Sequence, residues 1–478
     1  MRKQNTALPA QSWLVLAMAG LLTACGGSNN DSSGSDSHDH DHDHAEAGGR
    51  LIYSLSGNDD TLKMFDQTVS SKKITGTAVA AKADAQLVLS NDGITLAMLE
   101  GSDLRIISSG LEHMTYADPH PHDVETLSAA AITNVDKVVA TTDHFSVLKT
   151  DGTGLLLEAA DGSEISGLSW SDIVYPTLAL HGGQYLTFTA NATTPANTDI
   201  SVINADGSSG TNGLIWVRPN DGGYFAKSLT CTNGVNDAAQ TEDFTVILCG
   251  DGTLRWLISD YETPVGHPAG DGVTIHVSQR YPATTDRREG ETGEVTTGTT
   301  GFIENITHLT KTHHDDDVIA AWSADQVWMV NGHGDHPHRG NISTIVGADF
   351  GNIIALAATT DDDALAVLSD SGKIAVSRFE VKSSSNPVLK GSVEREQLGA
   401  EGNSWSSTNA KLLSGPYAFM IANSATQKLY QFDTHSAEDD YHLHTTYNDA
   451  APSSISSAVF AHAIEAEHSD DDHDGHDH

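Results

Sequence analysis

Short runs of β-branched and apolar residues, punctuated by Asp-Gly, Asn-Gly and Gly-Gly, recur from about Leu51 to Ile464, and no amphipathic helix of any length interrupts them. Thr245 to Cys249 is such a run; it turns at Gly250-Asp251-Gly252 and continues as Thr253 to Leu257. Ala364 to Leu368 turns through Ser369-Asp370-Ser371-Gly372 into Lys373 to Val376, and Leu87 to Leu89 turns at Asn91-Asp92-Gly93 into Ile94 to Ala97. Turn residues of this type between β-prone runs predict antiparallel hairpins. Further strand pairs are predicted at Val138 to Ala140 with Phe145 to Leu148, at Tyr185 to Phe188 with Ile200 to Ile203, and at Val318 to Trp322 with Gln326 to Met329.

Hairpins spaced by several tens of residues along so long a span fit a β-propeller better than a sandwich, because a propeller grows by radial repetition rather than by enlarging one core. At about 45 to 60 residues per four-stranded blade the span holds seven or eight blades. The expected fold is all-β, a β-propeller with seven blades favoured and eight allowed. Leu429-Tyr430-Gln431-Phe432 near the end resembles Leu62-Lys63-Met64-Phe65 near the start, as suits a ring that closes by pairing its termini.

The two ends are built differently. Arg2 and Lys3 precede an apolar run, Trp13 to Leu22, too short to span a bilayer, which reads as an export signal over residues 1–24. Leu22-Thr23-Ala24-Cys25 resembles the lipobox of bacterial lipoproteins, which implies that Cys25 is acylated and becomes the mature N-terminus. Gly26, rather than an acidic residue, follows it, which in that class implies the outer membrane, most simply facing the periplasm. Residues 25–49 are Gly, Ser, Asn, Asp and His with almost nothing apolar, so they are predicted to be a disordered tether. The propeller is assigned to 50–464, and 465–478 to a second disordered tail of the same chemistry.

The 478 residues contain 25 Lys+Arg against 65 Asp+Glu, a net charge of -40 that repels nucleic acid and attracts cations. The 25 histidines sharpen this, since neutral imidazole is a common transition-metal ligand. Of the three cysteines, Cys25 is assigned to lipid; Cys231 and Cys249 form an even pair in an oxidising compartment and read as a disulfide.

In the first tail His38, His40, His42 and His44 alternate with aspartates, which puts the imidazoles on one side of any extended segment. His468, His473, His476 and His478 repeat the chemistry in the second tail. Such tracts can hold zinc, copper or nickel with poor selectivity. Two internal loops are more constrained: Asp118-Pro119-His120-Pro121-His122-Asp123 and Gly334-Asp335-His336-Pro337-His338-Arg339. The proline between two histidines fixes its own φ and extends the residue before it, so the flanking imidazoles tend to project to one side. With His113, His333 and His144 nearby in sequence, the candidate structured ligands are His113, His120, His122, Asp123, His144, His333, His336 and His338. Two such loops meeting on one face could supply the three or four ligands zinc prefers. His313-His314-Asp315-Asp316-Asp317 reads as a solvated turn. Tyr441-His442-Leu443-His444 reads equally as an extra metal site or an edge strand, and His181, His267, His276, His308, His435 and His462 as ordinary hydrogen-bonding residues.

The signal peptide, the His/Asp arm, the all-β repeats, the stretch from Ser109 to Gly152 with His113, His120-Pro121-His122-Asp123 and Asp143-His144-Phe145, and the Cys231/Cys249 pair together resemble the periplasmic zinc metallochaperones of β-propeller fold that load the solute-binding protein of a zinc ABC importer. After the first cysteine this chain reads Thr232-Asn233-Gly234-Val235, where that family is expected to carry a His/Glu stretch. The resemblance implies a Zn²⁺ carrier without covalent chemistry, whose partner is a solute-binding protein or another envelope metalloprotein. The competing classes are a metal-dependent envelope enzyme, for which no HExxH or comparable motif is present, and a propeller scaffold that buffers metal incidentally.

Overall fold

A computed structural model of the chain describes residues 49–67, 69–111, 122–128, 131–141, 144–180, 184–206, 208, 215–217, 224–226, 229–241, 244–259, 273–276, 305–311, 318–331, 338–359, 363–381, 386–399, 405–433 and 441–462. The second and third strands of its sheets read as continuous apolar runs because both of their faces are covered. Val318–Trp322, Val327–Asn331 and Ala364–Ser369 are buried at every position, whereas the outermost strand Val388–Gln397 is mostly exposed. That is the pattern of a sheet sandwiched between two others.

Among the described residues the strands form eight sheets, and they follow one another along the chain. The first blade holds Gln86–Leu89, Thr95–Glu100, Asp103–Ser108 and Glu125–Thr126; the second Val135–Ala140, His144–Lys149, Gly154–Glu158 and Glu164–Trp170; the third Ile173–Leu180, Gln184–Ala190, Thr198–Asn204 and Leu229–Cys231. The fourth holds Val235–Gln240, Phe244–Cys249, Leu254–Ser259 and Val273–His276; the fifth His308–Lys311, Val318–Trp322, Val327–Asn331 and His338–Asn341; the sixth Ile353–Ala358, Ala364–Ser369, Lys373–Glu380 and Val388–Gln397. The seventh is Ala410–Ser414, Ala418–Asn423, Lys428–Asp433 and His442–Asn448, and the eighth joins Ala458–Ala461 to Arg50–Tyr53, Asp60–Asp66 and Ile74–Ala81.

Eight apolar clusters match these sheets, one between each adjacent pair. Ile52, Leu62, Leu87 and Met98 join the eighth blade to the first; Leu51, Phe65, Met420 and Leu429 join it to the seventh. The fold is therefore an all-β propeller, as expected, and the described strands form eight blades, within the seven or eight that the sequence allows. The blade least visible in the sequence is the one split between the chain ends, because neither Arg50–Ala81 nor Ala458–Ala461 reads alone as a complete four-stranded unit.

Ring closure follows from that split: Arg50, Leu51, Ile52 and Tyr53 pair antiparallel with Ala461, Phe460, Val459 and Ala458. The matching segments Leu62–Phe65 and Leu429–Phe432 do not pair with each other; they are the third strands of neighbouring blades, so their likeness is that of successive repeats. The turns behave as their chemistry dictates. Gly152 and Gly252 take φ of +81° and +79° between the second and third strands of their blades, while Asp151 and Asp251 each accept the Thr two residues on, at 2.9 and 3.0 Å.

Two features depart from a plain ring. Ile215–Val217 and Tyr224–Ala226 leave the third blade between its last two strands and extend the fourth, with Trp216 parallel to Thr274. Cys231 and Cys249 are disulfide-bonded, with Cα atoms 5.2 Å apart and both residues fully buried, tying the last strand of the third blade to the second strand of the fourth. The one helical element among the described residues is the 3-10 turn Ser343–Ile345, and no described helix is long and apolar enough to cross a membrane.

Candidate metal centre

In each blade the turns joining the first strand to the second, and the third to the fourth, open on one face of the ring. The described chain also begins and ends there, at Gly49 and His462. The described strand ends that flank both His-Pro-His segments lie on this face, since each pair is a third strand and a fourth. Their roots lie in the first blade, between Ser108 and Glu125, and in the fifth, between Asn331 and His338, half a turn apart around eight blades.

His113, His120, His333 and His336 lie outside the described residues, as do Cys25 and the tail histidines His38, His40, His42, His44, His468, His473, His476 and His478. His122 and Asp123 are exposed. The His122 amide donates to the Gly110 carbonyl at 2.8 Å, and its own carbonyl accepts Arg50 Nη1 at 2.5 Å, so the end of that loop is pinned to the closing blade. His144 opens the second strand of the second blade directly opposite Glu158; its Nε2 lies 3.8 Å from the Glu158 carboxylate, and its Nδ1 is buried without a hydrogen-bond partner. His338 opens the last strand of the fifth blade opposite Asn331. Among the described residues these side chains form no group of three able to hold an ion.

The group that can do so is in the seventh blade. Asp433 ends the third strand, and His442 and His444 open the fourth; one ligand atom from each lies within 4.8 Å of the others. His444 Nδ1 is 3.2 Å from Asp433 Oδ1, and the two imidazole centroids are 6.3 Å apart. A β-bulge makes the site. Gln431 faces Thr445, but Phe432 faces Leu443 and Asp433 faces His442, so His444 is the extra residue of the outer strand. In an unbroken register Asp433 would face Leu443 and point away from both histidines; slipping the pairing by one residue exchanges the faces and brings it to His442. A carboxylate from the third strand and two imidazoles from the outer strand offer three donors of the types that zinc accepts, one short of a tetrahedral set.

Sequence reading left Tyr441-His442-Leu443-His444 open between site and edge strand; His442 and His444 lie on the outer strand of their blade and belong to the candidate group. It missed Asp433. Its signal was its place at the end of the strand preceding the His-x-His pair, but the bulge that turns it inward has no sequence signature.

A second ionisable group lines the first strands of the second to fifth blades, some of which adjoin one another around the ring. Lys137 Nζ sits 4.1 Å from the Tyr175 ring centroid, and the Asp237 carboxylate accepts the Ala238 amide at 2.9 Å. Burial pushes the Asp237 carboxyl up and the Lys137 ammonium down, each against the other's charge. His308 stacks on Trp322 at 4.2 Å, and burial lowers its pKa. This group pairs charges across blades but carries a single carboxylate and a single imidazole, and it is not a metal cage.

A comparison with protein-family models and one with curated protein sequences find no match. Among solved structures, that of apo AztD from Citrobacter koseri is similar with a TM-score of 0.56 and 12% identity, over 87% of this chain and 99% of the other. A second crystal structure of Citrobacter koseri AztD gives a TM-score of 0.56 and 12% identity, over 86% of this chain and 97% of the other. At that identity the likeness is one of fold.

Proposed function

We propose that this chain is an envelope zinc metallochaperone: it collects Zn²⁺ on its His/Asp-rich tails, holds it at a structured site on the propeller, and passes it to a partner without covalent chemistry. The observation that carries the reading is the Asp433, His442 and His444 group, with three ligand atoms within 4.8 Å of one another where the third and outer strands of the seventh blade meet the loop face. Imidazole and carboxylate exchange zinc more readily than a cage of four thiolates, which suits transfer, and a partner's side chain entering the fourth position would start that exchange. The net charge of -40 concentrates cations near the chain. The fold shared with the AztD structures agrees with the sequence's resemblance to the propeller zinc metallochaperones. The His-Pro-His loops, whose flanking strands end on the same face, are proposed as further ligands, with the exported chain held at the outer membrane through Cys25. The partner is the solute-binding protein of a zinc importer or another envelope metalloprotein.

Transfer is the test. The zinc-loaded full-length chain is mixed with an apo solute-binding protein in the presence of a chelator that outcompetes the acceptor for free zinc. Delivery that survives the chelator, and falls when Asp433→Ala is introduced, supports the proposal. Delivery no faster than from free zinc contradicts it.

A further inference from the structure

Asp433 is not free to choose its orientation. Gln431, two residues earlier on the same strand and only 5% exposed, donates from Nε2 to Asp433 Oδ2 at 2.8 Å. Its Oε1 accepts the Tyr447 hydroxyl at 3.1 Å and the Gln67 amide at 3.3 Å. Gln67, just past the third strand of the eighth blade, in turn accepts the Gly49 backbone amide on its own Oε1 at 3.4 Å.

The direction of this relay is fixed at both ends. A backbone N–H can only donate and an ionised carboxylate can only accept, so each amide between them must present oxygen towards Gly49 and nitrogen towards Asp433. The result occupies Oδ2 and leaves Oδ1 facing His444, on the side where the two imidazoles converge.

We infer that Gln431 is a positioning residue of the metal centre, and that the relay Gly49, Gln67, Gln431, Asp433 ties the orientation of the metal carboxylate to the strand that closes the ring. The inference rests on the reading of Asp433, His442 and His444 as the metal site. Outer-shell partners of this kind change metal affinity by about 10- to 100-fold when removed. The relay also makes a polarity claim that simple packing does not. In Gln67→Glu the new carboxylate accepts from Gly49 but cannot donate, so the Gln431 amide turns over to donate to Glu and presents oxygen to Asp433.

The test uses the full-length chain with its tail histidines replaced by glutamine, titrated with zinc against a chromophoric chelator and, separately, with Co²⁺ to read the ligand-field spectrum. Gln431→Met is expected to weaken zinc binding by about 10- to 100-fold and to alter the Co²⁺ spectrum. Gln67→Glu is expected to weaken it about tenfold although it touches no ligand. If Asp433→Ala leaves affinity unchanged, the metal site itself is wrong and the relay falls with it. If Asp433→Ala weakens binding but Gln431→Met stays within threefold of the parent and keeps its Co²⁺ spectrum, the site stands and the relay is overturned. Should Gln431→Met not fold, Gln67→Glu decides alone: parental affinity overturns the relay.

Discussion

Arg50 ties the eighth blade to the first, and Arg50→Met measures how strongly. Its Nε lies 2.9 Å from Asp66 Oδ2 with both side chains 5% exposed, and its Nη1 donates to the carbonyls of Ser109 at 2.6 Å and His122 at 2.5 Å. One side chain thus joins the second and third strands of the eighth blade to the end of the first blade's third strand and to the root of its His-Pro-His loop. Methionine keeps the stem and removes every donor. The Asp66 carboxylate then stays buried without its cation, which costs about 3–5 kcal/mol, while the carbonyls cost less because water can reach exposed His122. The expected loss is about 4 kcal/mol, read by urea denaturation of the full-length chain followed by tryptophan fluorescence. A companion Asp66→Leu and the double variant complete a cycle, and removing both partners should recover about 1–3 kcal/mol of the summed single losses. A loss below about 1 kcal/mol for Arg50→Met, or strict additivity in the cycle, would refute the claim that this buried pair holds the tie between the two blades.

Replacing Cys231 and Cys249 by serine should lower stability by about 3 kcal/mol in the same assay, since the closed loop spans 18 residues. Because both sulfurs are fully buried, a reductant without denaturant should leave the bond largely intact over hours; rapid thiol labelling under native conditions would contradict the buried placement. Burial lowers Lys311 from 10.5 to about 8. Between those values the unfolded chain binds a proton the folded chain has lost, so this group makes stability rise with pH, and below about 8 the full penalty of at most about 3 kcal/mol applies. Lys311→Met should therefore be more stable than the parent at pH 7 and show a flatter rise above pH 8; equal or lower stability at pH 7 counts against desolvation of this half-buried cation. Gly372 has φ +75°, and a Cβ there would clash with the Trp405 indole, so Gly372→Ala should cost about 2–4 kcal/mol, and a neutral result would mean that the turn and Trp405 can move apart.

Much of the ring was legible because its physics is local. Turns rich in Asp and Gly between β-prone runs named hairpins in the first, fourth and sixth blades, and each forms with the expected partners. The blade count was not legible, because closure pairs residues about 400 apart and divides one blade between the chain ends, where no hairpin signal exists. The disulfide followed from cysteine arithmetic, although nothing in the sequence said that it would staple two blades. The histidines divided along the same line. His-Pro-His geometry is local and visible, but the position of its two loops half a ring apart depends on the blade count. His442 and His444 were visible as a strand-spaced pair, whereas Asp433 joins them through a one-residue bulge that no spacing rule shows.

The central claim is that a defined zinc site lies at the outer strand of the seventh blade. Crystals of the full-length chain grown with one equivalent of Zn²⁺ and measured on either side of the zinc absorption edge address it directly. An anomalous peak bonded to Asp433, His442 and His444, at about 2.0–2.2 Å from each ligand atom, is the expected result. Zinc bound elsewhere on the propeller with those three residues unligated would contradict it.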